Sequence, residues 1–454
     1  MSILAACFST PALFLFLALT LKESRLRRLL GPLLMLIFVA LLLVLGRELS
    51  APMRLLCSSF WLLNFVKGWS LLKIPREELK AYSPFGLLLY AYLWPGVDPA
   101  PYRERQGIDE KATRWFVFGF PSMCLGVAAL GMLALHAEVL NRSVLGLAGL
   151  ASLLTIIHLG FSDVLSCVMR LIGFPVNRLF DAPLKSKSLR DFWSLRWNRP
   201  FVEMNRLLFQ PLLASRLSKK QTVFALFLVS GILHELALSF PVSAGWGGPL
   251  LYFGIQGFGM QFEKRRELSK KSWSRLWTWT IILVPAPLLF HSKLREVLML
   301  PLIDHLHQYP VFSNWEGFFS SFLVLVGFGH FLVLVASFQV PHRLNWSEEL
   351  HRMRPLNRKL LWTYGCYIAT FIFLWGALTL YLRPEFMAGE KSAIAMCCVI
   401  ALFWWSRIFV DAFYFEHSDW PEGPEFVIGH TMLTTLFVTL ASTYTGLLIW
   451  HGLR

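Results

Sequence analysis

Long apolar runs separated by shorter polar stretches dominate the chain. An apolar run of about 20 residues is long enough to cross a bilayer as an α-helix. A shorter run at 84–95 predicts a re-entrant or interfacial segment instead. The pattern therefore predicts an all-α polytopic membrane protein with about 11–13 transmembrane or re-entrant helices. The predicted spans are 3–21, 29–46, 51–66, 115–136, 144–169, 222–240, 247–262, 276–290, 318–340, 361–382, 392–414 and 427–450.

Composition agrees with this pattern. Hydrophobic residues make up 56% of the 454 residues and charged residues 16%, whereas soluble domains carry about 25% charged residues. The seven cysteines show no C-x-x-C spacing, so the sequence predicts neither a zinc site nor a disulfide framework. His417, Asp419 and His430 form a loose set without fixed ligand spacing, so no metal site is expected there.

Basic residues fall in segments between the apolar runs, which predicts the orientation of the chain. If 84–95 does not cross, an even number of crossings separates each basic segment from the next, and all lie on the cytoplasmic side. The net charge of +15 then reflects membrane orientation, and no nucleic-acid partner is expected. The basic segments are 22–28, 67–80, 103–114, 170–220, 264–275 and 343–359, while 137–143, 291–317 and 383–391 are poorer in basic residues.

Two polar features stand out against this background. A basic, tryptophan-rich segment from Asp181 to Asn198 lies at the predicted cytoplasmic edge. The apolar run 222–240 contains His234, next to Glu235 and one helical turn after Ser230. The simplest role of a lone intramembrane histidine is a hydrogen bond between helices of the bundle. Trp and Arg residues near a span commonly anchor to lipid headgroups. An ionisable residue inside the membrane is nevertheless costly and is a candidate for function.

The two features together suit acyl transfer from a thioester to an alcohol. A neutral imidazole can accept the proton of a hydroxyl group. An amide can donate a hydrogen bond to a carbonyl oxygen that gains charge during attack. Glu235 points about 100° away from His234 on a helix, so direct pairing of these two side chains is not expected.

The motifs resemble those of the membrane-bound O-acyltransferase superfamily, most closely its wax synthase branch. The segment Ser188-Leu-Arg-Asp191-Phe-Trp193-Ser-Leu-Arg196-Trp197-Asn198 is similar to the branch pattern S-L-x-D-F-W-G-x-R-W-N. Ser230-Gly231-x-x-His234-Glu235 is similar to its S-G-x-x-H-E. The resemblance is strongest from about residue 180 to 262, and Ser194 departs from the glycine usual in the branch.

This resemblance implies a buried reaction chamber, His234 as catalytic histidine and Asn198 as its partner. It implies acyl-CoA as co-substrate, entering from the cytoplasm, with no separate cofactor, and a long-chain alcohol or other lipid hydroxyl as acceptor. The bilayer would be the bacterial inner membrane or the endoplasmic reticulum. Lys185, Arg190 and Arg196 would either contact the CoA phosphates or anchor to lipid headgroups. The full set of predicted substrate-binding residues is Asp191, Trp193, Arg196, Trp197, Ser230, Glu235, Lys185 and Arg190.

Several alternatives stay open on the sequence. If the protein is an acyltransferase, the acceptor would be a fatty alcohol, a sterol or a diacylglycerol. A different class of function is transport, with His234, Arg407 and Asp411 lining a permeation pathway. Arg407 and Asp411 are four residues apart, so a pair on one helix face is expected. We predict an acyltransferase core over residues 1–310 and an appended four-span region over 311–454.

Overall fold

The computed structural model describes residues 3–416 and 420–453, with side chains from residue 5. The fold is 81% helical, and no β-strand occurs in the described part of the chain. This confirms the predicted all-α class of membrane protein. The long helices are α1 Ile3–Thr20, α2 Ser24–Leu45, α3 Ala51–Lys73, α4 Pro84–Tyr92, α5 Thr113–Leu135, α6 Arg142–Leu171, α7 Arg199–Met204, α8 Lys219–Val242, α9 Gly248–Arg265, α10 Ser274–Leu283, α11 Leu300–His307, α12 Trp315–Ser337, α13 Pro355–Tyr381, α14 Lys391–Phe413 and α15 Pro424–Gly452.

Shorter helical pieces fill the connections. The α-helical turns are Arg76–Leu79, Leu189–Asp191, Gln210–Ala214, Ala286–Leu289, Ser292–Leu294, Pro310–Ser313, Val340–Arg343, Trp346–Glu349 and Arg383–Ala388. The 3₁₀ turns are Gly46–Glu48, Ala100–Tyr102, Glu110–Ala112, Pro183–Lys185, Leu268–Lys270 and Leu350–Arg352. Wider π turns occur at Thr155–Phe161, Phe192–Arg196, Asn205–Phe209, Glu235–Ser239 and Arg295–Met299.

Within residues 3–416 and 420–453, nine helices are long and apolar enough to cross a membrane. Two predicted spans, 247–262 and 276–290, are not among them, and the run 3–21 is represented by the shorter apolar helix Ala5–Thr20. Helix α9 carries Glu263, Lys264 and Arg265 in its last turn, which lowers its hydropathy. The run 276–290 was expected to cross, but α10 ends at Leu283 and Pro285 begins a separate turn. This happens because proline lacks the amide that continues a helix.

The chain forms two compact units. One comprises the residues up to Val127 and those from Leu140 to Leu302, and the other comprises Ala128–Val139 and the residues from Ile303 onward. The first unit contains both motifs identified in the sequence. Its largest hydrophobic cluster is built around aromatic side chains that include Phe14, Trp61, Phe65, Tyr90, Tyr102 and Phe174.

A buried arginine ties the first three helices of this unit together. Arg27, near the start of α2, donates hydrogen bonds to carbonyl oxygens at the ends of α1 and α3: Ala18, Leu21, Leu71, Leu72 and Ile74. The last carbonyls of a helix have no partner within it, and a guanidinium group has five N–H donors. One side chain therefore satisfies the ends of two helices.

The short run 84–95 forms α4, nine residues long. At 1.5 Å per residue it extends about 14 Å, well below the roughly 30 Å hydrocarbon thickness. Lys67 Nζ, buried in α3, donates to the carbonyl oxygens of Ala91 at 3.0 Å and Trp94 at 2.7 Å. Lys67 was expected to begin a basic loop, which is wrong, because α3 continues to Lys73.

The segment 291–317, a connection between predicted spans, is largely helical. It contains Ser292–Leu294, a π turn and α11. His305 is exposed. His307 is not simply solvated, because its Nδ1 lies 2.9 Å from the Ala134 carbonyl oxygen and 3.1 Å from that of Phe312. This histidine fastens the end of α11 within the second unit.

The second unit has its own core between α12, α14 and α15. His330 lies at its centre: Nδ1 donates to the Val326 carbonyl oxygen at 2.7 Å, and Nε2 accepts from Trp404 Nε1 at 3.1 Å. The Thr379 and Tyr444 hydroxyls lie 2.6 Å apart. Both ring nitrogens of His330 are thus used, so this buried histidine is a structural hydrogen-bonding residue.

Candidate active site

His234 lies within α8, where a regular helix meets the π turn Glu235–Ser239. Its Nδ1 is 2.7 Å from the carbonyl oxygen of Ser230. Because a carbonyl can only accept, Nδ1 carries the proton and Nε2 presents a lone pair. Nε2 has no hydrogen-bond partner in the described part of the chain. The His234 side chain is half-buried.

Ser230 and Gly231 set the surroundings of this histidine through their backbones. Ser230 is buried and supplies the carbonyl that selects the His234 tautomer. At Gly231 a Cβ atom would lie 2.8 Å from Leu250 Cα in α9. The missing side chain therefore admits a neighbouring helix, one of the two purposes expected for this glycine.

Glu235 is turned away from the imidazole, as its position on the helix predicts. Its Oε1 accepts hydrogen bonds from the backbone N–H groups of Gly247 at 2.9 Å and Leu250 at 3.1 Å. These are unpaired donors at the start of α9, where a carboxylate is favourable. Glu235 thus anchors α9 against α8. Its other oxygen is buried without a hydrogen-bond partner.

Asn198 begins α7 in a left-handed backbone conformation, with φ 47° and ψ 59°. Asparagine tolerates this conformation better than most residues. Its Oδ1 accepts from the Phe201 N–H at 3.3 Å and so caps the helix. The amide nitrogen Nδ2 has no hydrogen-bond partner among the described residues, so its two N–H donors remain available.

The segment before Asn198 is a compact loop held by its own polar side chains. Asp191 accepts from Arg196 Nε and from the Lys187 N–H, both at 3.0 Å. Arg196 also donates to the Asp181 carbonyl oxygen at 3.1 Å. Arg178 pairs with both Asp181 and Asp163. Asp191 and Arg196, predicted to bind substrate, are thus engaged in shaping the loop.

An aromatic series connects this loop to the histidine helix. The ring centroids of Trp193 and Phe253 are 5.5 Å apart, and those of Phe253 and His234 are 4.4 Å apart. Trp193 Nε1 donates to Gln256 Oε1 at 3.1 Å. Both Phe253 and Gln256 belong to α9. The Phe253 ring of α9 therefore contacts both the tryptophan of the loop and the imidazole of α8.

A second connection runs through a hydrophobic cluster. Its buried members include Met204 and Leu208, and both Phe201 and Leu233 pack against it. The Phe201 N–H donates the capping hydrogen bond to Asn198 Oδ1, and Leu233 directly precedes His234. The elements that carry Asn198 and His234 thus share a core cluster within one unit, as a site built from both residues requires.

The remaining predicted residues divide into two groups. Trp197 is part of the loop core, stacked on Phe192 at 5.3 Å and on His158 at 5.8 Å between ring centroids. Lys185 and Arg190 are exposed, and neither has an ion-pair partner in the described residues. Of the basic residues predicted to meet a polyanionic substrate, these two have free head groups.

Phe253 and Glu203 are residues that sequence reasoning missed. Phe253 contacts the imidazole from a helix whose position depends on the fold. Glu203 Oε2 accepts from the Val97 and Asp98 N–H groups at 3.0 and 3.2 Å, joining α7 to the loop after α4. A glutamate only five residues after Asn198 was a visible signal, but its partners lie more than 100 residues away.

No cluster of three metal-ligating side chains occurs among the residues that the structure describes. His417 and Asp419 lie outside those residues. Arg407 and Asp411 form the expected pair on one face of α14, at 3.4 Å. His430 of α15 joins them, with Nε2 2.8 Å from Asp411.

Comparison with known proteins bears on the stretch that contains both motifs. Among curated proteins, none matches the chain. The model of the membrane bound O-acyl transferase family matches residues 176–254, which include Asn198, the aromatic loop and His234. This match supports placing the protein in the membrane-bound O-acyltransferase superfamily.

Proposed function

We propose that the protein transfers a fatty acyl group from acyl-CoA to the hydroxyl of a hydrophobic alcohol, forming a wax ester or related neutral lipid. One observation carries the proposal: the His234 tautomer leaves Nε2 unpaired and basic in a half-buried position. The buried His330 of the second unit, by contrast, uses both of its ring nitrogens.

In the proposed reaction, His234 Nε2 takes the hydroxyl proton while the alcohol oxygen attacks the thioester carbonyl carbon. The Ser230 carbonyl accepts from Nδ1–H and stabilises the resulting imidazolium. Asn198 Nδ2 donates to the oxyanion of the tetrahedral intermediate. The C–S bond then breaks, and the imidazolium returns its proton to the departing thiolate, giving an ester and CoA.

The surroundings of the imidazole favour lipid substrates. The Phe253 ring contacts His234, and Trp193 contacts Phe253 in turn, so apolar rings line the approach. The exposed Lys185 and Arg190 are the proposed ligands of the CoA phosphates, on the proposed cytoplasmic side. Asp191, Arg196 and Trp197 act by holding the loop, and Glu235 by anchoring α9.

The test is an acyl transfer assay with labelled acyl-CoA and the purified full-length protein. We expect His234→Ala to lower turnover by about 10²–10⁴-fold, the usual value of general-base assistance. His351→Ala is the matched control, because His351 is exposed and outside the site. Near-normal turnover in His234→Ala, with normal folding, would refute the assignment.

The same assay identifies the acceptor. A panel of long-chain alcohols, a sterol and a diacylglycerol should show the highest kcat/KM with a long-chain alcohol. A preference for the sterol or diacylglycerol would retain the acyl transfer chemistry and replace the acceptor. Hydrolysis of acyl-CoA with no ester from any acceptor would contradict O-acyl transfer.

A further inference from the structure

A strongly basic cavity opens where the ends of α1 and α3 meet the start of α2. Its volume is about 590 Å³. It is lined by five basic residues, Lys22, Arg27, Arg28, Lys73 and Arg76, and by one acidic residue, Glu77. It belongs to the first unit but includes none of the residues of the candidate active site.

The positive charge of this cavity is built into the fold. Arg27 is buried at its inner end, where its hydrogen bonds go to carbonyl oxygens rather than to a carboxylate. Arg76 Nε donates to the Leu19 carbonyl at 2.7 Å, and Lys73 Nζ donates to that of Leu207. Neutral acceptors orient these three cations and do not cancel their charge.

The cavity contains little negative charge to offset these cations. Glu77 pairs with Lys80, with Oε2 2.6 Å from Nζ, and this one carboxylate also interacts electrostatically with Arg76 and Lys22. Lys22 and Arg28 are exposed, and neither forms an ion pair with any residue that the structure describes. Like charges held close together repel, so the arrangement is stabilised by an anion between them.

We propose that this cavity binds the phosphate group of an anionic ligand, with the exposed Lys22 and Arg28 contacting the phosphate and Arg27 and Arg76 supplying further positive charge. Guanidinium and ammonium groups are the usual protein ligands of phosphate. The proposal does not depend on the proposed acyl transfer.

Two sources could supply such a phosphate: an anionic phospholipid headgroup and CoA. The cavity lies at the ends of apolar helices, where basic residues meet the headgroup layer. CoA carries the same chemistry in soluble form. The two sources share one binding site but differ in their attachment to lipid, so separate probes distinguish them.

The experiment measures Kd with the full-length protein in neutral detergent. The probes are dioctanoyl phosphatidic acid, dioctanoyl phosphatidylcholine and CoA. We expect phosphatidic acid to bind more tightly than phosphatidylcholine, because its headgroup has no compensating cation. The variant Lys22→Gln/Arg28→Gln should bind phosphatidic acid roughly tenfold or more weakly.

The control is Arg25→Gln/Lys111→Gln, which removes the same formal charge from two exposed residues outside the cavity. This variant should bind phosphatidic acid as the unmodified protein does. If the cavity variant loses CoA but not lipid, the phosphate source is CoA. If it binds every probe as the control does, the site is refuted.

The readout is separate from catalysis. Binding can be measured on His234→Ala, which tests the site without turnover. If the unmodified protein has no acyl transfer activity but still binds phosphatidic acid more tightly than phosphatidylcholine, the proposed function is refuted and this site is not. If the unmodified protein transfers acyl groups but its cavity variant binds the probes normally, the proposed function stands and this phosphate site is refuted.

Discussion

At the scale of single residues, Asn198 combines a backbone role with a chemical one. Its φ of 47° lies in the left-handed region, and its Oδ1 caps α7. Only Nδ2 is free to act on a substrate. The two roles use different atoms of one amide, so substitutions can separate them.

We expect Asn198→Asp and Asn198→Gly to lower kcat by roughly 10²–10³-fold, the usual cost of losing an oxyanion donor. Aspartate keeps an acceptor for the cap, and glycine keeps the backbone conformation, but neither supplies an N–H donor. Steady-state kinetics and thermal unfolding on the same samples separate activity from folding. If Asn198→Gly folds normally and keeps its activity, Asn198 is a structural residue only.

At the scale of elements, α4 is held by polar contacts from two directions. Lys67 donates to the carbonyls of Ala91 and Trp94, and Tyr90 donates to the Val97 carbonyl at 2.9 Å. Glu203 accepts hydrogen bonds from the backbone N–H groups of Val97 and Asp98, which follow α4 in the chain. A helix too short to cross the bilayer is thereby fixed within the first unit.

Lys67→Met should destabilise the protein by about 1–3 kcal/mol, because buried carbonyl oxygens lose their donor. Thermal unfolding in detergent measures this effect. Lys80→Met is the control, since Lys80 is exposed and pairs only with Glu77 on the surface. Equal melting temperatures for the two variants would show that Lys67 does not hold α4.

Glu203 makes a pH-dependent contribution to the same region. Burial raises the pKa of its carboxyl group, because desolvation outweighs its hydrogen bonds to the Asp98 and Val97 N–H groups. The protonated form is therefore favoured by folding. The stability that it contributes is fully present below the ordinary glutamate pKa of about 4.3 and is lost as pH rises through the raised folded-state pKa.

Replacement by a neutral amide removes this dependence. The melting temperature of Glu203→Gln relative to the unmodified protein should therefore increase as pH rises from about 4 to 8. Glu104→Gln, at an exposed position, serves as the comparison. A difference that stays constant across this pH range would contradict the assignment of Glu203.

At the scale of the whole molecule, the basic segments imply one orientation in the membrane. The structure places Lys111 just before α5, and Glu390 directly before α14. From the distribution of positive charge, we expect the first position to be cytoplasmic and the second to lie on the opposite side. The candidate loop with Lys185 and Arg190 would then face the cytoplasmic supply of acyl-CoA.

Cysteine labelling tests this orientation. In a background with the exposed Cys366 and Cys398 replaced by alanine, Lys111→Cys should react with a membrane-impermeant maleimide only from the cytoplasmic side. Glu390→Cys should react only from the opposite side. Reaction of both positions from one side would overturn the predicted topology.

Local patterns in the sequence were enough for several features. Apolar run length predicted the helical class and located the nine long spans, although α3 continues to Lys73, beyond its predicted end at residue 66. The spacing of Arg407 and Asp411 predicted their pair. Helix geometry also predicted that Glu235 would turn away from His234. These features depend on residues close together in sequence, where the periodicity of a helix determines which side chains meet.

Other features depended on contacts between distant segments. Lys67 is buried inside α3, where it contacts the carbonyls of Ala91 and Trp94, and α3 continues beyond its expected end. The partners of Glu203, the Phe253 ring beside His234 and the basic cavity around Arg27 come from separate helices. No spacing rule relates such residues, because helix packing and loop closure determine where they meet.

The sequence by itself determined that this chain is a helical membrane protein with a histidine and an asparagine in candidate positions, since hydropathy and residue chemistry are local properties. The tertiary structure decided which atoms of those residues are free. Hydrogen bonding commits Nδ1 of His234 and Oδ1 of Asn198. It leaves Nε2 of His234, a base, and Nδ2 of Asn198, a donor, unpaired, because buried polar atoms pair with the partners that folding brings within reach.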